Sequence, residues 1–121
     1  MKKRATAPEA SDNPGDVARF ADMLSALGTE PRLRIVRLLL AAHPQGLVAG
    51  DIGAELGVAG STLSHHLEKL RHEGLVTVRR EGTFLRYAAN AAALQSLLAF
   101  LYAECCTRSR AVEPKLVVCN C

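Results

Sequence analysis

Four cysteines, Cys105, Cys106, Cys119 and Cys121, fall within the closing stretch LYAECCTRSRAVEPKLVVCNC, and the hundred residues before it hold none. A thiolate is a soft ligand, a nucleophile and a reductant, so such a cluster suits metal or metalloid capture or reversible oxidation. Which of these applies depends on the compartment. The chain opens MKKRATAPEASDNPG, basic as an export signal is but with no apolar region behind it. Its longest uncharged stretch, Tyr87 to Ala103, falls short of the roughly 20 apolar residues of a membrane span and contains Asn90, Gln95 and Ser96. A cytoplasmic location is expected, and in a reducing cytosol clustered cysteines are metal ligands or redox-active thiols rather than a disulfide framework.

Enzyme chemistry has little to work with. No nucleophile stands beside an activating base and an orienting carboxylate in any recognisable pattern, and no phosphate-cradling loop is present. The net charge of +3 suggests an acidic partner only until it is divided. Residues 16–104 carry nine basic and nine acidic side chains, so a nucleic-acid partner must be argued from where the charges sit. Basic groups recur at Arg32, Arg34 and Arg37, at Lys69 and Arg71, and at Arg79, Arg80 and Arg86.

Apolar period and punctuation give the elements that position these groups. After a leader expected to be flexible over residues 1–15, a first helix starts at Asp16 with Val17, Phe20, Leu24 and Leu27 on one face, and Gly28 ends it. PRLRIVRLLLAA is a second helix, stopped by His43, Pro44 and Gly46. A short third helix runs from about Val48 to Leu56 and stops at Gly57. The turn GVAG leads into a fourth, STLSHHLEKLRHEG, with Ser61 or Gly60 as cap and Gly74 as the left-handed stop. Two short helices about a Gly-containing turn make a helix-turn-helix. In LVTVRREGTFLRYAA, Leu75, Val76 and Val78 meet Phe84, Leu85 and Tyr87 in a β-hairpin that turns at Gly82. A last helix from Asn90 places Leu94, Leu97, Leu98, Leu101 and Cys105 on one stripe suited to a partner. The expected fold is mainly α with a β-hairpin wing, a winged helix-turn-helix over residues 16–104, followed by a cysteine-containing tail over 105–121.

LSALGTEPRLRIVRLL followed by DIGAELGVAGSTLSHHLEKLRHEGLVTVRREGTFLRYAA resembles the ArsR/SmtB family of small dimeric, metal-responsive repressors, over about residues 17–104. The S-x-x-S-H-H-L recognition helix, the EGL after it and the RREG wing carry the resemblance. It implies a homodimer joined through the first and last helices, with double-stranded operator DNA as partner and no membrane.

The fourth helix, read by its own period, agrees. At about 100° per residue Leu63, Leu67 and Leu70 share an inward face, while Ser61, His65, Glu68 and His72 point outward with Thr62 and Ser64 beside them. Hydroxyls and an imidazole near a helix N-terminus suit base edges in the major groove. Ser61, Thr62, Ser64, His65 and Lys69 are therefore expected DNA contacts, with Arg79, Arg80 and Arg86 on the wing holding phosphates or entering the minor groove. The alternative for this face is an ordinary solvated helix surface. His66, beside the leucines, fits a hydrogen-bonded core histidine as well as it fits a DNA contact.

Two metal sites of the family are missing their ligands. Where relatives carry C-x-C-D at the start of the third helix this chain has Val48, Ala49, Gly50 and Asp51, and Asn90 to Ala103 contains neither Asp nor His. Adjacent cysteines at the end of the last helix resemble instead the branch that binds trivalent arsenic, and sometimes antimony, through a thiolate pair and a third thiolate nearby. Soft thiolates select such a centre. Arsenite or antimonite is the expected inducer, with Cys105 and Cys106 as the pair, Cys119 completing the set and Cys121 as a substitute. The third cysteine of the family usually follows the pair closely, and here it does not. Thiol redox or persulfide sensing, a four-sulfur zinc site, and a thiol-rich metal buffer or carrier on a winged-helix scaffold stay open beside that expectation.

Overall fold

The structure, a computed structural model, describes residues 14–105, 107 and 108. The chain folds as α1 (Pro14–Leu27), α2 (Glu30–Ala41), β1 (Leu47–Val48), α3 (Ala49–Leu56), α4 (Gly60–His72), β2 (Val76–Glu81), β3 (Phe84–Ala89) and α5 (Ala91–Tyr102). The three strands form one antiparallel sheet in the order β1-β3-β2. Five helices with a hairpin wing match the expected winged helix-turn-helix.

Apolar residues from every helix fill one core. Phe20, Met23 and Ala26 of α1 meet Ile35, Val36 and Leu39 of α2, Ile52 of α3, Leu63, Leu67 and Leu70 of α4, and Leu97 of α5, with Leu75, Val76 and Ala89 at the wing base. The α1 face turns out narrower than the stripe read from the sequence. Phe20 is buried, but Val17 and Leu24 are 48% and 43% exposed, because Met23 and Ala26 rotate the core-facing side away from them. The α5 stripe splits similarly: Leu97 is buried in its own chain, whereas Leu98 and Leu101 are exposed. Leu97 is thus a core residue rather than part of a seam for a partner.

Three local devices fix the recognition unit. Gly57 takes φ 68 at the end of α3, turning the chain toward α4. The N-cap of α4 is Ala59, not Ser61 or Gly60, and no side chain caps it. At its other end α4 closes in a Schellman motif: Gly74, at φ 77, donates its N–H to Arg71 O at 2.9 Å, and Leu75 donates to Leu70 O at 3.0 Å. Leu70 and Leu75, both fully buried, supply the apolar contact that accompanies this motif.

Strand β1 has no counterpart among the expected elements. Its two residues pair with the wing, Leu47 with Tyr87 and Val48 with Arg86, so α3 starts one residue later than the sequence suggests. Cys105 also moves: α5 ends at Tyr102, and Cys105 sits half-buried in the turn beyond it, its N–H bonded to Tyr102 O at 2.9 Å. Cys106, Cys119 and Cys121 lie outside the described residues.

Candidate nucleic-acid interface

Helix α4 buries Leu63, Leu67 and Leu70 and leaves Ser61, Thr62, Ser64, His65 and Lys69 exposed. The hydroxyls and the His65 imidazole occupy its first two turns, where backbone N–H groups and the helix dipole favour an anionic neighbour. A shallow groove lies alongside, lined by Gly50, Gly53 and Ala54 of α3 and by Gly57, Ala59 and Gly60 of the turn and the α4 start. With so little side chain there, a nucleic-acid backbone can come close to the helix-turn-helix corner. Gly53 keeps the corner tight, since a Cβ on it would meet Val58 O at 3.1 Å.

Charge on this face is arranged in pairs. Glu68 is the acidic group on the outward side of α4, and Arg71 holds it with Nε–Oε1 at 3.0 Å and a second bond from Nη2 to Oε2. Arg71's hydrogen bond keeps the Glu68 carboxyl below its usual pKa range, so the pair stays ionised and locally neutral. On the wing, the register sets Arg79 opposite Arg86. Like charges facing each other across strands repel, and Glu81 relieves this by accepting from Arg79 Nη2 at 2.6 Å and from Arg86 Nε at 2.9 Å. Those two hydrogen bonds, Arg79's first, lower the Glu81 pKa.

The three wing arginines therefore play different parts. Arg80 is exposed and makes one long contact, to Gly82 O at 3.5 Å, which leaves its guanidinium available to phosphates. Arg79 is exposed but shared with Glu81. Arg86 is partly buried and also donates to Gly46 O at 3.2 Å, which makes it a strut between the wing and the loop after α2. Gly46 itself packs on β3 at φ 77, where a Cβ would fall 2.1 Å from Tyr87 O. The bridging role of Glu81 and the packing of Gly46 on β3 were not read from the sequence, where Gly46 stands only as a helix stop. A Glu between two arginines on alternating strand positions is a visible signal for the first, whereas the second depends on a contact across 40 residues.

His66 faces inward from α4. Its Nδ1 is buried and has no hydrogen-bond partner among the described residues, which corrects the expectation of a hydrogen-bonded core histidine. Burial, then the charge of Arg32, then that of His65, lower its pKa below the ordinary value. Arg32 is held in place by its Nε donating to Ala26 O at 2.6 Å, which ties the start of α2 to the end of α1.

Asn90 joins the recognition helix to the last helix. Its Oδ1 accepts the Ala93 N–H at 3.1 Å and caps α5, while its Nδ2 donates to Gly74 O and its backbone N–H to Leu75 O, both at 2.9 Å. Gly74 and Leu75 are the residues that stop α4. Helices α1 and α5 are joined in turn by the Phe20 and Phe100 rings, stacked with centroids 4.5 Å apart. Both helices expose apolar side chains: Val17 and Leu24 on α1, Leu98 and Leu101 on α5.

Among the described residues no three His, Cys, Asp or Glu side chains gather into a metal site, and no helix is long and apolar enough to cross a membrane.

Comparison with known proteins agrees with this architecture. A helix-turn-helix domain family matches residues 27–79. The transcriptional activator HlyU of Vibrio cholerae is 30% identical over 74% of this chain and 80% of its own length, and its solved structure superimposes with a TM-score of 0.63. The putative arsenical resistance operon repressor ArsR2 of Halobacterium salinarum is 33% identical over 67% of each chain. A Mycobacterium bovis homodimeric winged helix-turn-helix DNA-binding domain, described as a possible ArsR-family regulator, is 26% identical, with a TM-score of 0.60 over 87% of this chain and 93% of that one.

Proposed function

Because the chain belongs to the ArsR/SmtB family of winged helix-turn-helix transcriptional regulators, which bind DNA and are not enzymes, we propose that it is a homodimeric repressor released from its operator by trivalent arsenic or antimony. The observation that carries this is where Cys105 stands: half-buried, three residues past the end of α5, with Cys106 next in the chain. That location sets the Cys105 thiol just past the end of the helix whose other end is bonded, through Asn90, to the stop of the recognition helix.

The donor set fits the inducer. Cys105 and Cys106 with Cys119, or Cys121 in its place, offer three sulfurs to a thiophilic trivalent centre. The described residues offer no carboxylate and imidazole set on α5, the arrangement that would favour zinc or cobalt, and no cysteine stands at the start of α3. Cys105, Cys106 and a third cysteine would hold the inducer, which would supply strong bonds to sulfur there. The chain's own part is to transmit the change: α5 is capped by Asn90, Asn90 holds Gly74 and Leu75, and these fix where α4 ends.

The dimer is supported by the apolar side chains that α1 and α5 leave exposed. Val17, Leu24, Leu98 and Leu101 lie exposed on two adjoining helices, apolar surface that a second copy would cover. Pairing there would set two α4 helices on one face of a duplex about one helical turn apart. In this dimer Ser61, Thr62, Ser64 and His65 read bases, Lys69, Arg79 and Arg80 hold the backbone, and Arg86 braces the wing.

The test is fluorescence anisotropy of the protein on duplex DNA from upstream of its own gene, titrated in parallel with arsenite, antimonite, zinc and an oxidant. Arsenite or antimonite should release the DNA at stoichiometric concentrations and zinc should not. Release by the oxidant alone would assign the cysteines to redox sensing instead. No binding to any duplex would point to a metal buffer or carrier.

A further inference from the structure

Phe84 is the most exposed large apolar side chain among the described residues, at 61%. It stands at the first position of β3, directly after the two-residue turn Gly82–Thr83, opposite Glu81. Alternation along the strands places it on the face that carries Arg79, Glu81 and Arg86, while Val78 and Tyr87 share the other face with Arg80 and Leu85. Nothing in the core lies beneath that tip, and a Cβ built on Gly82 would meet no atom within 4 Å. An aromatic ring is thus held in solvent at the end of a projecting hairpin, with guanidinium groups behind it and on the opposite face.

We propose that Phe84 is a DNA-contacting wedge, packing on sugars or entering a base step in the minor groove beside the site read by α4. Three features argue for DNA rather than a protein partner. The hairpin that carries the ring bears Arg79 and Arg86 on the same face and Arg80 on the other against the single acid Glu81, a balance that suits a polyanion. Six residues per strand at about 3.3 Å each give the wing a reach of roughly 17–20 Å. That is about half of a 34 Å helical turn, the step from a major groove to the flanking minor groove. Apolar wedges beside cationic side chains are also a common way for proteins to open a minor-groove step. Phe84 would therefore favour sites whose flanks contain easily unstacked pyrimidine–purine steps, a preference exerted without hydrogen bonds to bases.

This inference rests on DNA binding by the wing and not on the identity of the inducer. The probe is the tightest-binding duplex selected from a random pool, with a fluorescent adenine analogue placed in turn at each flanking position. The wild-type protein should raise the analogue's fluorescence at a minor-groove flank through local unstacking. Phe84→Ala should abolish that rise and weaken binding on the order of tenfold, the size of one lost aromatic contact with nucleic acid. Phe84→Leu, still a wedge, should keep part of both. Because the side chain is largely in solvent, neither change leaves a cavity that would unfold the protein.

If Phe84→Ala binds and reports as the wild type does while Arg80→Ala is weakened, the wing docks without Phe84 and the proposal is wrong. Should neither variant differ from wild type, docking of the wing fails along with it. A Phe84→Ala protein that turns monomeric in sedimentation would assign the ring to a protein interface instead.

Discussion

At the residue scale, the side chains proposed to read bases are separable by measurement from those proposed only to hold the backbone. Ser64→Ala or His65→Ala should weaken binding to the preferred duplex by about 1–3 kcal/mol at a good contact and barely alter binding to random DNA. Arg80→Ala should weaken both and flatten their salt dependence. Competition titrations at several salt concentrations measure this, and equal losses on both DNAs for all three variants would remove α4 as the reader. His66 gives a pH prediction. Its folded pKa lies below 6.5, so the unfolded chain takes up the proton first. The stability contributed by the neutral ring is fully present above about pH 6.5 and declines as pH falls from there toward the lowered value. Urea unfolding of wild type and His66→Gln at pH 7.5 and 5.5 should show the larger acid loss in wild type, and parallel losses would contradict this. The outward set on α4 was legible in the sequence because three leucines fix the helix phase. The bracing role of Arg86 was not, because its partners are set by cross-strand register and by the Gly46 carbonyl.

At the scale of elements, the hairpin depends on a loop far away in sequence. Gly46→Ala would place a Cβ against Tyr87 O in a left-handed backbone. The conformation alone costs about 1–3 kcal/mol, so thermal unfolding should show at least that loss, and a variant as stable as wild type would dismiss the loop as an anchor. The α5 stripe makes a two-sided prediction. Leu97→Ala should cost about 2–5 kcal/mol as a buried truncation. Leu101→Asp, at an exposed position, should leave the fold intact and yield monomers with little operator affinity. Sedimentation and circular dichroism distinguish the two, and a dimeric Leu101→Asp would argue against the α1 and α5 interface. Helices, wing and stops were readable because Gly, Pro and apolar period mark them locally. Strand β1 escaped because two residues carry no period, and Leu97 was misplaced because an apolar stripe does not say which of its sides meets its own core.

For the whole molecule, pairing acids with bases leaves Arg80 and Lys69 outward on a neutral body, so under the proposed function binding should be selective in where it contacts the duplex. The proposed coupling runs from the cysteines along α5, through Asn90, to α4. A coupling of about 1–3 kcal/mol would shift operator affinity 5- to 150-fold. The cysteine cluster was plain in the sequence, but which sulfur completes the set is a matter of tertiary placement that spacing does not decide. Arsenite-driven release of operator DNA by single Cys→Ser variants, followed by anisotropy, tests the claim most directly. Cys105→Ser and Cys106→Ser should bind DNA as wild type does and fail to release it, Cys119→Ser should release it poorly, and Cys121→Ser should be the least affected. Normal release by both Cys105→Ser and Cys106→Ser would contradict the account.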